Sequence, residues 1–506
     1  MTPHHPSAHT PGTHNPGGAH TPGAHNPGGA HTPGAHGPGG AQTPHDPGAH
    51  GPGGAQTPHG PGGAQAPHDS GAHGPGGAWR PNGPGGGAGT ARGPASVADG
   101  GRHRRVVVTG IGVAAPNGLG VDAWWQALLA GRSGIGPITR FDASPYPVKI
   151  GGELPGFVDE EHIPSRLLPQ TDRITRIAMM AAHEALTDAG VDPSTLPPHS
   201  AGVITAGSAG GAETGQRALA ALWGRGPAHV SAYQPAAWFH AAAPAQIAIR
   251  HRLNGPASTI ISEQAGAIDA LARARRRIRQ GTTLMITGGI DSTLCPWGWA
   301  AHLAHGHLTP TPDPTHAYRP FDTHANGHLV GEGGALLILE DAPTAARRGH
   351  AGYGTIAGYA ATFDGPGRPR LQQACELALE DAHMTPAHID VVFADAAAHP
   401  AADHTESTAL TNLFGPYAVP VTAPKTMTGR LGAGGAALDL AAALMALRHH
   451  VIPPTTATTH PAPHHPLDLV LHTPRPHPHL TTALVIARGH DGHNTATILT
   501  TTPPTP

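Results

Sequence analysis

Two cysteines, Cys295 and Cys375, are all that the 506 residues contain. That excludes a disulfide framework and any cysteine-based metal site, and it points to a cytoplasmic chain. No window of about 18 uncharged apolar residues occurs, and the first residues form no apolar signal core, so neither a membrane span nor secretion is expected. Charge of one sign is missing too. The formal net charge is −3 with pI near 7.0, and "ARARRRIRQG" (272–281) is the one basic run, read as the solvated face of a helix. No nucleic-acid partner is implied.

What the sequence has instead is 71 glycines, 56 prolines and 41 histidines. Many fall in residues 1–104, a tandem tract of segments such as "AHTPGAHNPGG" and "AQTPHGPGG" with almost nothing apolar beyond alanine. Such a tract has no core to offset chain entropy and is expected to be disordered, as is a short tail at 500–506. Its histidines have no spacing that defines a metal site. The part from Arg105 to about Arg488 is large for one core and suggests two halves, 105–350 and 351–499.

Strand and helix patterns alternate through both halves, which predicts an α/β class with a mostly buried sheet. "RRVVVTGIGVAAPNG" opens with a strand. Its Gly110 and Gly112 lack the rest of a dinucleotide fingerprint, position 115 being Ala, and read as a tight turn after the strand. "VDAWWQALLAGRSG" and "RITRIAMMAAHEALTDAG" read as helices closed by Gly131 and Gly190, with Trp124 and Trp125 as core or interface anchors. "ASTII" reads as a buried strand and "AIDALARARRRIRQG" as a helix burying Ile268, Leu271 and Ile278. "QAGAIDALARA" and "GGAALDLAAAL" share a small-residue turn, an apolar residue, Asp and a helix, a sign of duplication. "TALVIARG" reads as the closing strand.

The chemistry is legible at "ISEQAGAIDA". A residue on such a strand-to-helix turn points out of the sheet toward the positive end of the helix, where a cysteine would ionise easily. The residue there is Gln264. An amide is no nucleophile, and both its ends only hydrogen-bond.

The ordered segments "VVVTGIGVAAPNG", "HRLNGPASTIISEQAGAIDALARARR", "TGGIDSTLCPWGWA", "YRPFD", "LVGEGGALLILED", "VVFADAA" and "PKTMTGRLGAGGAALDLAAALMALR" together resemble a β-ketoacyl synthase. More closely they resemble the chain length factor (ketosynthase β subunit) of bacterial type II aromatic polyketide synthases. The resemblance spans Val106 to Leu499. It implies a thiolase-like five-layer α-β-α-β-α fold from two duplicated halves. It also implies no cofactor or metal, a ketosynthase α partner in a heterodimer, and an acyl carrier protein delivering the chain.

Active relatives carry out a decarboxylative condensation with one cysteine and two histidines. The resemblance places Gln264 at the cysteine position, Asp395 and Arg430 at the histidine positions, and the retained lysine at Lys425. Asp395 and Arg430 are expected to form a salt bridge across the former pocket, with Glu332 and its "GEGG" glycines supporting the site. Condensation by this chain alone is not expected. A malonyl-ACP decarboxylase supplying the acetyl starter is the alternative, weakened because relatives of that kind keep both histidines and losing one donor typically costs about 100- to 1000-fold. Cys295 reads as a buried inert thiol. The resemblance also carries a chain-length gate onto Ala212, Gly215 and Leu219, whose i, i+3 and i+7 spacing puts them on one helical face. Two of these positions are aromatic in octaketide factors. Small residues here imply a recessed wall and a product longer than an octaketide.

Overall fold

The computed structural model describes residues 104–502. The tract at 1–104, apart from Arg104, and the tail from residue 503 lie outside the described residues. The first half contributes β1 (Val106–Ala115), β2 (Ala201–Ala206), β3 (Ala257–Ile260), β4 (Leu284–Asp291) and β5 (Gly333–Asp341). The second contributes β6 (Gly354–Phe363), β7 (Val391–Phe393), β8 (Pro420–Thr422), β9 (Thr482–Arg488) and β10 (His493–Thr500).

Side by side, the strands run β3-β2-β4-β5-β1 and then, across a β1–β6 pairing, β6-β10-β9-β7-β8. Read outward from that junction, each half has its first strand, then its fifth, fourth, second and third. In each, the second, third and fourth strands pair in parallel and the fifth alone runs antiparallel to its neighbours. The duplication hinted at by two short segments is thus carried by the whole topology.

The longer helices are α1 (Val121–Leu129), α2 (Arg173–Asp188), α3 (Ala212–Arg225), α4 (Ala242–His251), α5 (Gly266–Arg279), α6 (Pro296–His305), α7 (Leu371–Ala382), α8 (Pro400–Phe414) and α9 (Ala433–His449). Helices α2 and α4 cover the outer face of the first sheet, and α7, joined by α8, covers that of the second. The pair α5 and α9 lies between the sheets, completing five layers. This middle position explains the sequence of α9. Every residue from Ala433 to Leu447 is buried, so the helix is apolar all round rather than striped.

Four expectations are corrected. Gly110 and Gly112 lie within β1, not in a turn after it. A Cβ on either would come within 2.2 Å and 2.0 Å of carbonyl oxygens of Ala185 and Ala181, so glycine here lets α2 press onto the strand. "ASTII" is not a buried strand, because β3 is the outermost strand of the first sheet and its residues are exposed or half-buried. The closing strand is β10, not "TALVIARG", and it extends the fold through Thr500, which the expected tail had included. Finally, the basic run is not wholly solvated. Arg275 is buried, donates to Asp381 at 2.6 Å and to the Ala357 carbonyl, and ties α5 to α7, while Arg273, Arg276 and Arg277 line an open cleft of about 590 Å³.

Candidate functional site

The elbow between β3 and α5 is strained. Glu263, a non-glycine residue, has φ 50°, a conformation that costs about 1–3 kcal/mol unless its surroundings impose it. They do: the His490 backbone N–H donates to Glu263 Oε2 at 2.7 Å, and His490 Nε2 lies 3.1 Å from Oε1. The turn thereby aims Gln264 inward, where it is 3% exposed.

The Gln264 amide does not sit idle. With the amide oriented so that its nitrogen faces the Gly432 carbonyl and its oxygen the Gly432 N–H, the orientation that satisfies both ends, it donates to the one and accepts from the other, both at 3.0 Å. Gly432 has φ 53° and ψ −131°, a conformation open only to glycine, and a Cβ there would lie 2.4 Å from Asp291 Oδ2. Asp291 in turn accepts from the N–H groups of Ala433, Ser208 and Ala209. Gln264 therefore staples the start of the first central helix to the turn that starts the second.

Asp395 follows β7, and Arg430 precedes α9. Arg430 Nη2 lies 3.1 Å and Nη1 3.2 Å from the two carboxylate oxygens of Asp395, a two-pronged pair with both residues buried. Arg430 also donates to the carbonyls of Asp395 and Arg488, and the Arg488 N–H donates to Asp395 Oδ1. Burial opposes charge on Asp395, but Arg430 and then Lys425 outweigh it and hold its carboxyl below the usual value. Lys425 Nζ donates to the carbonyls of Ala394 and Asp395. It also lies 2.6 Å from Asp439 Oδ2 on α9, an ionic contact without hydrogen-bond alignment. The structure thus brings Asp395, Arg430 and Lys425 together, and all are committed to internal partners.

Scaffolding persists around them. Ala396 and Ala398 have φ 51° and 56°, held by Glu406, which accepts from the N–H groups of Asp395 and Ala396, and by Tyr318, whose hydroxyl donates to the Ala396 carbonyl. Glu332 is buried in a bidentate pair with Arg173, at 2.7 Å on both arms, and also accepts from Ser292. Cys295 is 5% exposed and burial raises its thiol pKa.

Burial pushes Asp403 and Glu406 up to about 7, helped at Glu406 by the charge of Asp395. For both, the folded-state value exceeds the unfolded one. Their contribution is therefore fully present at acid pH and is lost as pH rises from the unfolded value through 7. Thermal melts should show the wild type losing stability relative to Asp403→Asn as pH rises from 6 to 8, a comparison in which the opposite contributions of buried histidines such as His251, His302 and His465 cancel.

The gate positions are only partly brought together. Ala212 and Gly215 are buried at the start of α3, while Leu219 is 43% exposed. The recess expected at Gly215 is filled. A Cβ there would lie 2.9 Å from the indole of Trp297 and 3.0 Å from that of Trp238. The Gln216 side chain holds the Trp297 N–H at 2.7 Å. The two tryptophans come from other elements and were not singled out by helical spacing on α3.

Residues 103–345 match the β-ketoacyl synthase N-terminal domain family, and residues 352–459 its C-terminal domain family. The chain belongs to the β-ketoacyl synthase family. Within it, it stands with the chain length factors. It is 53% identical over 400 residues to the tetracenomycin polyketide synthase ketoacyl synthase beta subunit of Streptomyces glaucescens, covering 78% of this chain and 98% of the relative. It is 50% identical to the actinorhodin polyketide putative beta-ketoacyl synthase 2 of Streptomyces coelicolor, covering 79% and 100%. Among solved structures, the ishigamide ketosynthase/chain length factor superposes with TM-score 0.72 at 30% identity, over 79% of this chain and 99% of that one. A chain from a type II polyketide synthase acyl-carrier protein in complex with its hexaketide-bound ketosynthase gives TM-score 0.72 at 25% identity, over 78% and 99%. The fold is accordingly thiolase-like. No helix among the described residues is long and apolar enough to cross a membrane.

Proposed function

We propose that this chain is the non-condensing subunit of a cytoplasmic type II polyketide synthase. It pairs with a ketosynthase α subunit, receives the growing chain from an acyl carrier protein, and walls the tunnel in which the poly-β-ketone grows. The observation that carries this reading is the closure of the site. Gln264 is spent on Gly432, Asp395 on Arg430 and Lys425 on Asp439, so the residues at the positions of the condensing set include no thiolate and no imidazole, and each is committed to an internal partner.

Beside the closed site the surface is open and apolar. Leu219, Trp223, Trp238, Phe239, Ile261 and Trp297 are all exposed, Trp223 at 82% and Phe239 at 61%. They lie on α3, on the Gln234–Trp238 helix and α6 that pack against α3, and at the end of β3, the unpaired edge strand of the first sheet. Aromatics gathered at a sheet edge are what a stable partner covers. This is where the ketosynthase α subunit would dock, and the gate on α3 would then face the shared tunnel, with Trp238 and Trp297 supplying the bulk that Gly215 lacks.

The decarboxylase alternative needs the Gln264 amide to position a malonyl carbonyl, and both ends of that amide are already engaged. The test is co-expression with a cysteine-bearing ketosynthase α and an acyl carrier protein, with mass spectrometry of the product and this chain alone as control. The expected result is a stable pair making a chain longer than an octaketide, a length that rests on the small Ala212 now that the recess at Gly215 is filled, and shortened by at least one two-carbon unit in Ala212→Phe. An octaketide, or no response to Ala212→Phe, would sink the gate assignment and leave the subunit role. Condensation or decarboxylation by the chain alone would overturn the role itself.

A further inference from the structure

One cluster of donors stands apart from the family chemistry. Asp322 ends the "YRPFD" segment, His324 follows two residues later, and His460 comes from the Pro/His-rich surface stretch of the second half. Their ligand atoms, one oxygen and two imidazole nitrogens, all lie within 4.8 Å of one another. Asp322 is 4% exposed, whereas both histidines are exposed. The imidazole rings stand edge to face with centroids 5.6 Å apart.

The carboxylate is fixed by backbone donors, whereas the exposed rings are held only by side-chain contacts, His324 Nδ1 lying 3.1 Å from both Asp322 Oδ1 and Thr323 Oγ1, and His460 Nδ1 2.9 Å from Thr459 Oγ1. Asp322 Oδ1 accepts from the His324 N–H at 2.9 Å, and Oδ2 accepts from the N–H groups of Thr459 and His460 at 2.9 and 2.7 Å. The Thr323 N–H donates back to the His460 carbonyl at 2.9 Å, and the Ala462 N–H to that of Phe321 at 2.8 Å. The two loops are therefore already in register before any ligand arrives. These backbone donors keep the carboxylate anionic and oriented, as outer-shell partners do around a metal ligand.

We propose that Asp322, His324 and His460 form a binding site for a divalent transition-metal ion of borderline softness, Zn²⁺ or a close analogue. Two neutral imidazoles and one carboxylate are a donor set that such ions favour, with water completing a tetrahedron. Tetrahedral ligation needs donor atoms about 3.3 Å apart. Rotating two exposed rings closes the present spacing without moving backbone. Bound metal would staple residues 322–324 to 459–460. The staple would reach the former active site, because the neighbouring Phe321 N–H donates to Asp403 Oδ2 at 2.7 Å, one turn of α8 from Glu406.

The test is thermal unfolding of the full chain with and without Zn²⁺. Histidines outside the triad are the same in the wild type and in the triad variants, so metal binding by them cancels in the comparison, whereas a site assembled by folding raises the melting temperature only where it is intact. At a hundredfold excess over the dissociation constant, the wild type should melt about 3 °C higher. His324→Ala and His460→Ala, both changes of exposed side chains, should lose the shift, and His464→Ala, a neighbouring exposed histidine outside the triad, should keep it. No Zn²⁺ shift in the wild type, or the same shift in the two triad variants, would overturn the site.

Discussion

Replacing Arg430 by alanine should lower folding stability by about 3–5 kcal/mol, because it strands a carboxylate with almost no access to water. Asp395 is 1% exposed, and Arg430 supplies both prongs facing it. Lys425 reaches the Asp395 backbone carbonyl rather than its carboxylate, so its charge acts on the carboxylate without a hydrogen bond and replaces neither prong. Asp395→Ala should cost a similar amount, since Arg430 is itself 7% exposed and would keep only the Asp395 and Arg488 carbonyls. Denaturant unfolding of the two single variants and the double variant gives the coupling directly. The double should lose clearly less than the sum, because neither charge is left alone. Additive losses would mean that each residue is held by something other than its partner.

The second large effect concerns association. Phe239→Asp and Ile261→Asp should each weaken binding to the ketosynthase α subunit by about 30-fold or more, the loss of a central hot spot. Their side chains are 61% and 58% exposed, so the fold itself has little at stake and melting of the isolated chain should hardly move. Tyr417→Asp is the control, an equally exposed aromatic (63%) that belongs to a loop of the second half. Its complex should survive. If all three variants co-purify with the partner as well as the wild type does, the apolar face beside β3 is not the docking surface.

Much of this molecule is readable from its sequence, for identifiable reasons. A strand-to-helix elbow is local, so its residue, Gln264, is found without knowing the fold. Asp395 and Arg430 follow once a family register is anchored on the downstream Glu406 and on "KTMTGRL", and opposite charges in one pocket imply their own pairing. Other features depend on what arrives from elsewhere. The space beside Gly215 looks empty along α3, and only the chain path through Trp238 and Trp297 fills it. The exposure of β3 reflects its place at the end of a sheet, which a run of β-branched residues does not encode. Asp322 and His460 are 138 residues apart, and among 41 histidines no spacing marks out that one.

On the proposed reading that Gln264 stands where condensing relatives carry a thiol, the elbow also changes how the assembly meets electrophiles. Cys375 lies buried with its thiol pushed up to about 12, and Cys295 is shielded within the first half, so neither offers a ready thiolate. A thiol-selective alkylating reagent finds no ready thiolate here. In a mixed complex it reports on the companion subunit alone, so the number of adducts per particle counts working sites and leaves this subunit as the silent half of the stoichiometry.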